Sequence, residues 1–288
     1  MILEHADNPV PDSREKLFLF TVDIDWIPGS ESGLELLAEY CSGRGVPLNL
    51  FVTGRWAMQN AALLRQMAAF GDIGSHGWEH GLDPLENYRH STATAQKHWI
   101  TLSTEAIGNA CGVRPRAFRA PFLAICETTL TILENLDYRL DSSVPARRFD
   151  FGHGTVNYTR YFRAPLFPYH PCRNNLAHRG DSAVLEAPPS ACVIPLNMKA
   201  LLKFGPRYLG FLASRVASRT PVLVFYAHAY VFVEPSKLTF HPSRSRWYSW
   251  ASPKHIKLLS GFIDYILAPG CRPARLSELM ASFGPDRQ

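Results

Sequence analysis

The 288-residue sequence has no run of about 18 uncharged apolar residues, so no bilayer-spanning helix is expected. Its first fifteen residues carry Glu4, Asp7, Pro9, Pro11, Asp12 and Glu15 around no apolar segment, and do not read as a secretory signal. No CxxC pair occurs. The six cysteines, Cys41, Cys111, Cys126, Cys172, Cys192 and Cys271, stand far apart. They are expected as reduced, mostly buried thiols, which excludes a disulfide framework and a cysteine metal site. There is no linker rich in Gly, Ser or charge and no internal repeat. With 46% hydrophobic and 19% charged residues, wholesale disorder is excluded as well. Thirty Lys and Arg against 25 Asp and Glu leave a mild +5. That balance is compatible with an anionic partner such as a lipid phosphate and does not demand one; no nucleic acid partner is expected. A cytoplasmic location is expected, with peripheral contact at the inner membrane face as the membrane option.

Short apolar runs alternate with helical patterns. Leu17 to Val22 reads as a buried strand. Ser32 and Glu35 suggest a capping box, with Leu34, Leu37 and Cys41 as the helix's apolar stripe and Gly43 as its stop. Leu48 to Val52 reads as a strand and Asn60 to Phe70 as a helix. A short strand leads into Ser75, and Ser91 to Ala110 reads as a long helix closed by Gly112. Thr128 to Leu136 (helix), Tyr138 to Leu140 (strand), Val222 to Tyr226 (strand) and about Pro253 to Leu267 (helix) complete the pattern. Such alternation predicts a mostly parallel α/β sheet in one domain: an extension at 1–16, then the fold from 17 to 288. A loop-rich insertion at about 147–195 holds one or two short strands, such as Ala183 to Glu186.

Three places put polar groups directly after strand-like runs, where parallel α/β folds build their sites. Asp23 and Asp25 stand at i and i+2, on one side of an extended chain. Such a pair repels, so a cation or an arginine should face one of them. Alone, the pair also fits a helix cap or a solvated turn. His76 and His80, at i and i+4, would stack on one face of a helical turn at metal spacing, or be two ordinary polar histidines. His228 closes the run Val224 to Ala227. One carboxylate and two imidazoles leave positions open for water, as in a catalytic zinc site.

In these segments the chain resembles the polysaccharide deacetylases of carbohydrate esterase family 4, the NodB-homology domain. The similarity runs over about 17–145 and 220–230. Thr21-Val-Asp23-Ile-Asp25 matches the opening motif, and Ser75 to His80 matches the His-x-x-x-His motif. Phe118-Arg119-Ala120-Pro121-Phe122 matches the arginine–proline motif, Leu140-Asp141-Ser142-Ser143 the fourth, and Val224 to His228 the last. The wording around Phe118 to Phe122 and Tyr138 to Pro145 is similar to a branch linked to exopolysaccharide loci. Five motifs in order are a specific signal. The resemblance implies a distorted (β/α)7-type barrel and metal-dependent removal of an N-acetyl group from a sugar. It assigns Asp25, His76 and His80 to the metal and Asp23 to the base, held by Arg119. It assigns His228 to the acid, tuned by Asp141, and the Phe122 N–H beside Pro121 to the oxyanion. Zinc is the default ion for this set, with cobalt, nickel or iron also accommodated. Trp26 stands where the family often has glycine, narrowing the mouth or adding a sugar-stacking face. The tryptophan that usually follows the fourth motif is missing, and Ala229 stands where some members carry an acid.

Other features compete for a role. Lys199, Lys203 and Arg207, then Arg215 and Arg219, make 199–219 basic and amphipathic, split at Gly205-Pro206. It is either a surface for anionic membrane near a lipid-linked sugar or a solvated outer helix. Trp247, Tyr248 and Trp250, near Arg244 and Arg246, line a sugar cleft or cap the core. His153, His170 and His178 are read as non-ligands. The partner expected is an N-acetylated saccharide, either a glycan unit or a lipid-linked one. The alternatives are a related C–N hydrolase (a lipid-linked sugar deformylase or a cyclic imide or ureide hydrolase), a non-haem iron oxygenase with its two-His, one-carboxylate triad, and a non-catalytic glycan-binding module. Composition is silent on the oligomeric state.

Overall fold

The computed structural model describes residues 15–80, 86–149, 158–239 and 250–283. Seven parallel strands form a curled sheet: β1 (Lys16–Ile24), β2 (Asn49–Val52), β3 (Ile73–Ser75), β4 (Ala117–Phe118), β5 (Leu140–Asp141), β6 (Leu185–Glu186) and β7 (Val222–His228). Their order is β7-β1-β2-β3-β4-β5-β6, and β8 (Cys271–Pro273) pairs with the start of β1. The gap between β6 and β7 is bridged by Ser190. Its N–H donates to the Val224 carbonyl at 3.0 Å and its Oγ accepts from the Val224 N–H at 2.9 Å. This is a distorted (β/α)7 barrel in one mixed α/β domain.

The period-2 alternation of β1 explains the layers. Phe18, Phe20, Val22 and Ile24 face outward into a core with Leu34, Leu37, Leu212 and Phe262. Leu17 and Leu19 face inward, packed with Phe51, Leu140, Leu185, Val222 and Val224. Leu276 and Leu279 close that interior from below. Thr21 and Asp23 continue the inward row, so the apolar plug gives way to polar groups toward the strand ends. A strand buried on both faces reads as a continuous apolar run, which is why β1 and β7 stand out in the sequence.

Around the sheet lie α1 (Glu31–Gly43), α2 (Gly54–Gln59), α3 (Ala61–Met67), α4 (Ala93–Cys111), α5 (Glu127–Asn135), α6 (Met198–Ala217), α7 (Ile256–Leu267) and α8 (Leu276–Phe283). α4 ends on Gly112 in the left-handed region, φ 76°. α6 breaks at Gly205, φ 78°, directly before Pro206. The expected capping box at Ser32 does not form. α1 begins at Glu31, so Ser32 lies inside its first turn and donates to the Gly29 carbonyl at 3.2 Å. The segment 147–195 contributes β6 to the barrel and two small antiparallel hairpins, Pro171–Cys172 with Asn175–Arg179 and Ala191–Cys192 with Ile194–Pro195. The cysteines are unbridged, but only Cys41 and Cys271 are buried; the other four are half-buried. Burial pushes the Cys41 thiol up to about 12.

Candidate active site

The inward row of β1 and the register of its neighbours assemble the site. Asp23 lies opposite His228 in the β1–β7 pairing, and β2 and β3 follow on the other side, so the strand ends converge. One ligand atom from each of Asp25, His76 and His80 falls within 4.8 Å of the others, and no second such group occurs among the described residues. His76 Nδ1 lies 2.8 Å from the Arg119 carbonyl, to which it donates. That fixes the tautomer and leaves Nε2 as the lone-pair nitrogen. This Nε2 is buried without a hydrogen-bond partner, 3.6 Å from Asp25 Oδ1. Burial lowers the His76 pKa to about 4, against the opposing pull of Asp23 and Asp25. A neutral imidazole aimed at a carboxylate is the form a divalent ion takes, so these residues fit a metal.

The two histidines converge without a helix. Gly77 has φ 76° and His80 φ 56°, so an extended loop with two left-handed residues places them, ring centroids 5.3 Å apart. Glu86 builds that loop. Its buried carboxylate accepts from the N–H groups of Trp78 (2.5 Å), Glu79 (2.8 Å) and His80 (2.7 Å), and from the Tyr88 hydroxyl (2.6 Å). A Cβ at Gly77 would collide with Glu86 Oε1, and the left-handed backbone there also favours glycine. Sequence reasoning missed Glu86, because a loop carboxylate ten residues past His76 has no fixed spacing to betray it.

Arg119 is fully buried and holds Asp23: Nη1 donates to Asp23 Oδ1 at 2.8 Å and to Thr21 Oγ1 at 2.9 Å. Its Nε and Nη2 donate to the Ser142 carbonyl and hydroxyl at 3.0 and 2.8 Å, and Phe51 lies 4.2 Å beneath it. His228 Nε2 sits 4.0 Å from Asp23 Oδ2, the oxygen Arg119 does not take. Pro121 and Phe122 form a tight turn in which Phe122 has φ 57° and packs tilted against His80, ring centroids 4.2 Å apart.

Asp141 is brought to a different partner set. It accepts from the Ser143 hydroxyl at 2.6 Å and lies opposite Glu186 in the β5–β6 pairing, while the carboxylate beside His228 is Asp23. Ser143 Oγ also accepts from the Ala120 N–H at 2.8 Å, so the fourth motif shapes the Arg119 turn. Burial pushes Asp141 up to about 6 and Glu186 well above its ordinary value. Trp26 donates to Gln59 at 2.9 Å and carries the Arg55 guanidinium 3.7 Å over its ring; Arg55 is ion-paired with Glu79. One face of Trp26 is therefore covered by protein. Trp250 packs on Tyr230, whose ring lies 5.2 Å from His228. His170 lies within hydrogen-bond distance of the Ser182 and Phe283 carbonyls, and His178 is exposed. His153, Arg244, Arg246, Trp247 and Tyr248 lie outside the described residues.

No curated protein matches the sequence. Among solved structures, the chain is similar to a candidate polysaccharide deacetylase from Mycobacterium smegmatis, with 17% identity, TM-score 0.63, and coverage of 96% of this chain and 92% of that one. A family 4 carbohydrate esterase from Streptomyces lividans in complex with acetate matches at 13% identity and TM-score 0.51, covering 92% and 94%. A CE4-family pseudoenzyme from Bacillus anthracis matches at 13% and TM-score 0.53, covering 93% and 66%. At these identities the likeness shows the fold. The family model for polysaccharide deacetylase matches residues 11–140, which contain Asp23, Asp25, His76, His80 and Arg119, so the chain is similar to that family over this stretch.

Proposed function

We propose that the protein is a metal-dependent hydrolase that removes the N-acetyl group from an amino sugar, carried on a glycan or a lipid. The observation that carries this reading is the meeting of the Asp25, His76 and His80 ligand atoms beside an arginine-held Asp23 and a half-exposed His228. Asp25, His76 and His80 would hold a divalent ion, zinc by default, which when bound would supply Lewis acidity to the acetamide carbonyl and to water. Asp23 is the base. Arg119 occupies Oδ1 and leaves Oδ2 to take the proton of the attacking water. His228 delivers a proton to the departing amine, so the amide and water become acetate and a free amino sugar. The turn at Pro121 and Phe122 lies against His80, where a backbone N–H faces the developing oxyanion. Trp26 and Arg55 wall one side of the mouth.

The buried Asp23–Arg119 pair favours hydrolysis over oxygenase chemistry, which needs no base there. Neighbours of this fold include a pseudoenzyme, but this chain has Asp23, Asp25, His76, His80, Arg119 and His228 all present. A related C–N hydrolase acting on a formyl group or cyclic imide remains the second reading, because the same base, acid and metal ligands serve it.

Acetate release from N-acetylglucosamine oligomers and a lipid-linked N-acetyl sugar tests the proposal, using metal-stripped protein resupplied with zinc or cobalt. Asp23→Asn is expected to lower turnover by about 10²–10⁴ with metal content intact, as removal of a general base does. His76→Ala is expected to lose both metal and turnover. Stoichiometric metal with no acetate from any substrate moves the assignment to another acyl or C–N bond. Failure to hold a metal overturns the catalytic reading.

A further inference from the structure

Charge is unevenly spread along the chain. Between Glu186 and Asp264 there are ten Lys and Arg and a single acid, Glu234. The rest of the sequence has twenty Lys and Arg against 24 acids. α6 lies inside the basic stretch, and no acid occurs on it. Its inner side buries Leu201, Leu209, Leu212, Ala213 and Val216. Its outer side exposes Lys199, Lys203, Arg207 and Arg215.

A solvated helix face would be polar between those cations. This one instead exposes Phe204, Tyr208 and Phe211, at 38%, 47% and 55%. α7 packs alongside, with Tyr265 against Gly210 and itself 38% exposed. Four of the nine exposed large apolar side chains among the described residues thus sit on these two helices, which makes a patch rather than scattered exposure. The patch is amphipathic at close range. Lys203 Nζ lies 5.2 Å over the Phe204 ring, and the Phe204 and Tyr208 rings are 5.5 Å apart.

The patch also connects to the catalytic end of the barrel. Asn197 caps α6 and donates through Nδ2 to the Tyr226 hydroxyl at 2.7 Å. Tyr226 lies under Arg119 at 5.5 Å and precedes His228 by two residues on β7. The N-terminal cap of α6 is therefore anchored at the catalytic end of the barrel.

We propose that the outer face of α6, with the adjoining side of α7, docks peripherally on an anionic phospholipid surface. Phe204, Tyr208 and Phe211 enter the boundary between headgroups and acyl chains, and Lys199, Lys203 and Arg207 meet lipid phosphates. The contact is peripheral: among the described residues no helix is long and apolar enough to cross a membrane. Single-stranded nucleic acid also uses cations and rings, but it tracks a groove, and a helix face is convex. Docking would hold the strand-end mouth at headgroup level, where a sugar carried on a lipid phosphate reaches Asp23. That last step rests on the hydrolase reading; the docking does not.

Flotation of the full chain with vesicles tests the docking without turnover. Vesicles of phosphatidylcholine alone are compared with vesicles containing about 30% phosphatidylglycerol, at about 0.1 M salt. Binding to the anionic vesicles is expected, and about tenfold less to the neutral ones. Lys203→Glu with Arg207→Glu should weaken anionic binding by at least twentyfold, since each cation near such a surface contributes about fivefold. Phe204→Ser with Phe211→Ser should weaken binding by about tenfold or more, with the thermal midpoint unchanged because both rings are exposed. No flotation with anionic vesicles overturns the proposal, as does unchanged binding of both double variants. So does a dimer in light scattering that either variant dissociates, which would make the face a self-interface, or binding of an oligonucleotide in place of vesicles. Acetate release that persists while flotation fails would remove the docking alone.

Discussion

Two buried carboxylate centres lie at the strand ends, and they are neutralised differently. Asp23 faces the fully buried Arg119 guanidinium at 2.8 Å. Asp141, on β5 four strands further round, faces a second carboxyl, Glu186, with the Ser143 hydroxyl donating to Asp141 and the Val144 N–H to Glu186. Burial raises both members of the second pair, Asp141 to about 6 and Glu186 well beyond its ordinary range, so a proton does there what an arginine does for Asp23. The contrast separates chemistry from architecture. The carboxylate proposed to accept a proton is paired with a cation. One that only ties strands together can keep its proton. Glu86 shows a third solution, four N–H and O–H donors on one carboxylate, in the loop that carries the metal ligands.

The most severe way to break this comparison is to remove the cation. Arg119→Met strands Asp23 as an uncompensated buried charge and removes one donor each from the Thr21 hydroxyl, the Ser142 hydroxyl and the Ser142 carbonyl. Chemical denaturation should show a loss of about 3–5 kcal/mol, and turnover should vanish. Adding Asp23→Asn should return a large part of that stability without restoring turnover. A double variant no more stable than Arg119→Met would mean that the arginine acts through packing on Phe51 rather than through charge. Next in size is Glu86→Gln. One amide oxygen replaces two acceptors, so at least one of the Trp78, Glu79 and His80 N–H groups loses its partner. A stability loss of about 1–3 kcal/mol is expected, together with zinc affinity lower by roughly 10–100-fold in a chelator competition. Tyr88→Phe removes a single donor and should leave zinc affinity within a few-fold. Equal effects of the two variants would deny Glu86 its loop-setting role.

What the sequence discloses follows the same division. Asp23, Asp25, His76 and His228 are legible because they stand at the ends of apolar runs, where parallel sheets place polar groups, and His80 by its spacing of four from His76. The conformation joining the histidines was not legible. Spacing of four suggests a helical turn, but Gly77 and His80 adopt positive φ because Glu86 pulls three successive N–H groups inward. Glu86 and Glu186 were invisible as partners, since their roles depend on tertiary neighbours and not on spacing. α6 was legible in its break as well as its extent, Gly205-Pro206 being a local signal. β8 and α8 were not, because Cys271–Pro273 is a strand only by pairing with β1.

The subtlest test concerns the shared proton. The folded pair binds a proton that the unfolded chain releases near its ordinary carboxylate pKa. Stability from this pair is therefore full in the acid range. It declines as pH rises from about 4.5 through about 6 and beyond, toward the raised Glu186 value. Glu186→Gln keeps the volume, can donate to Asp141, and removes the like charge. The slope of unfolding free energy between about pH 5 and 8 should flatten, and the variant should gain about 1 kcal/mol on the wild type at the alkaline end, one pKa unit being worth 1.36 kcal/mol. At about pH 5, where the wild-type pair already holds its proton, the two proteins should be nearly equal. A difference that is constant with pH would mean that Glu186 contributes hydrogen bonds but shares no proton, and that the two centres differ in geometry rather than in charge state.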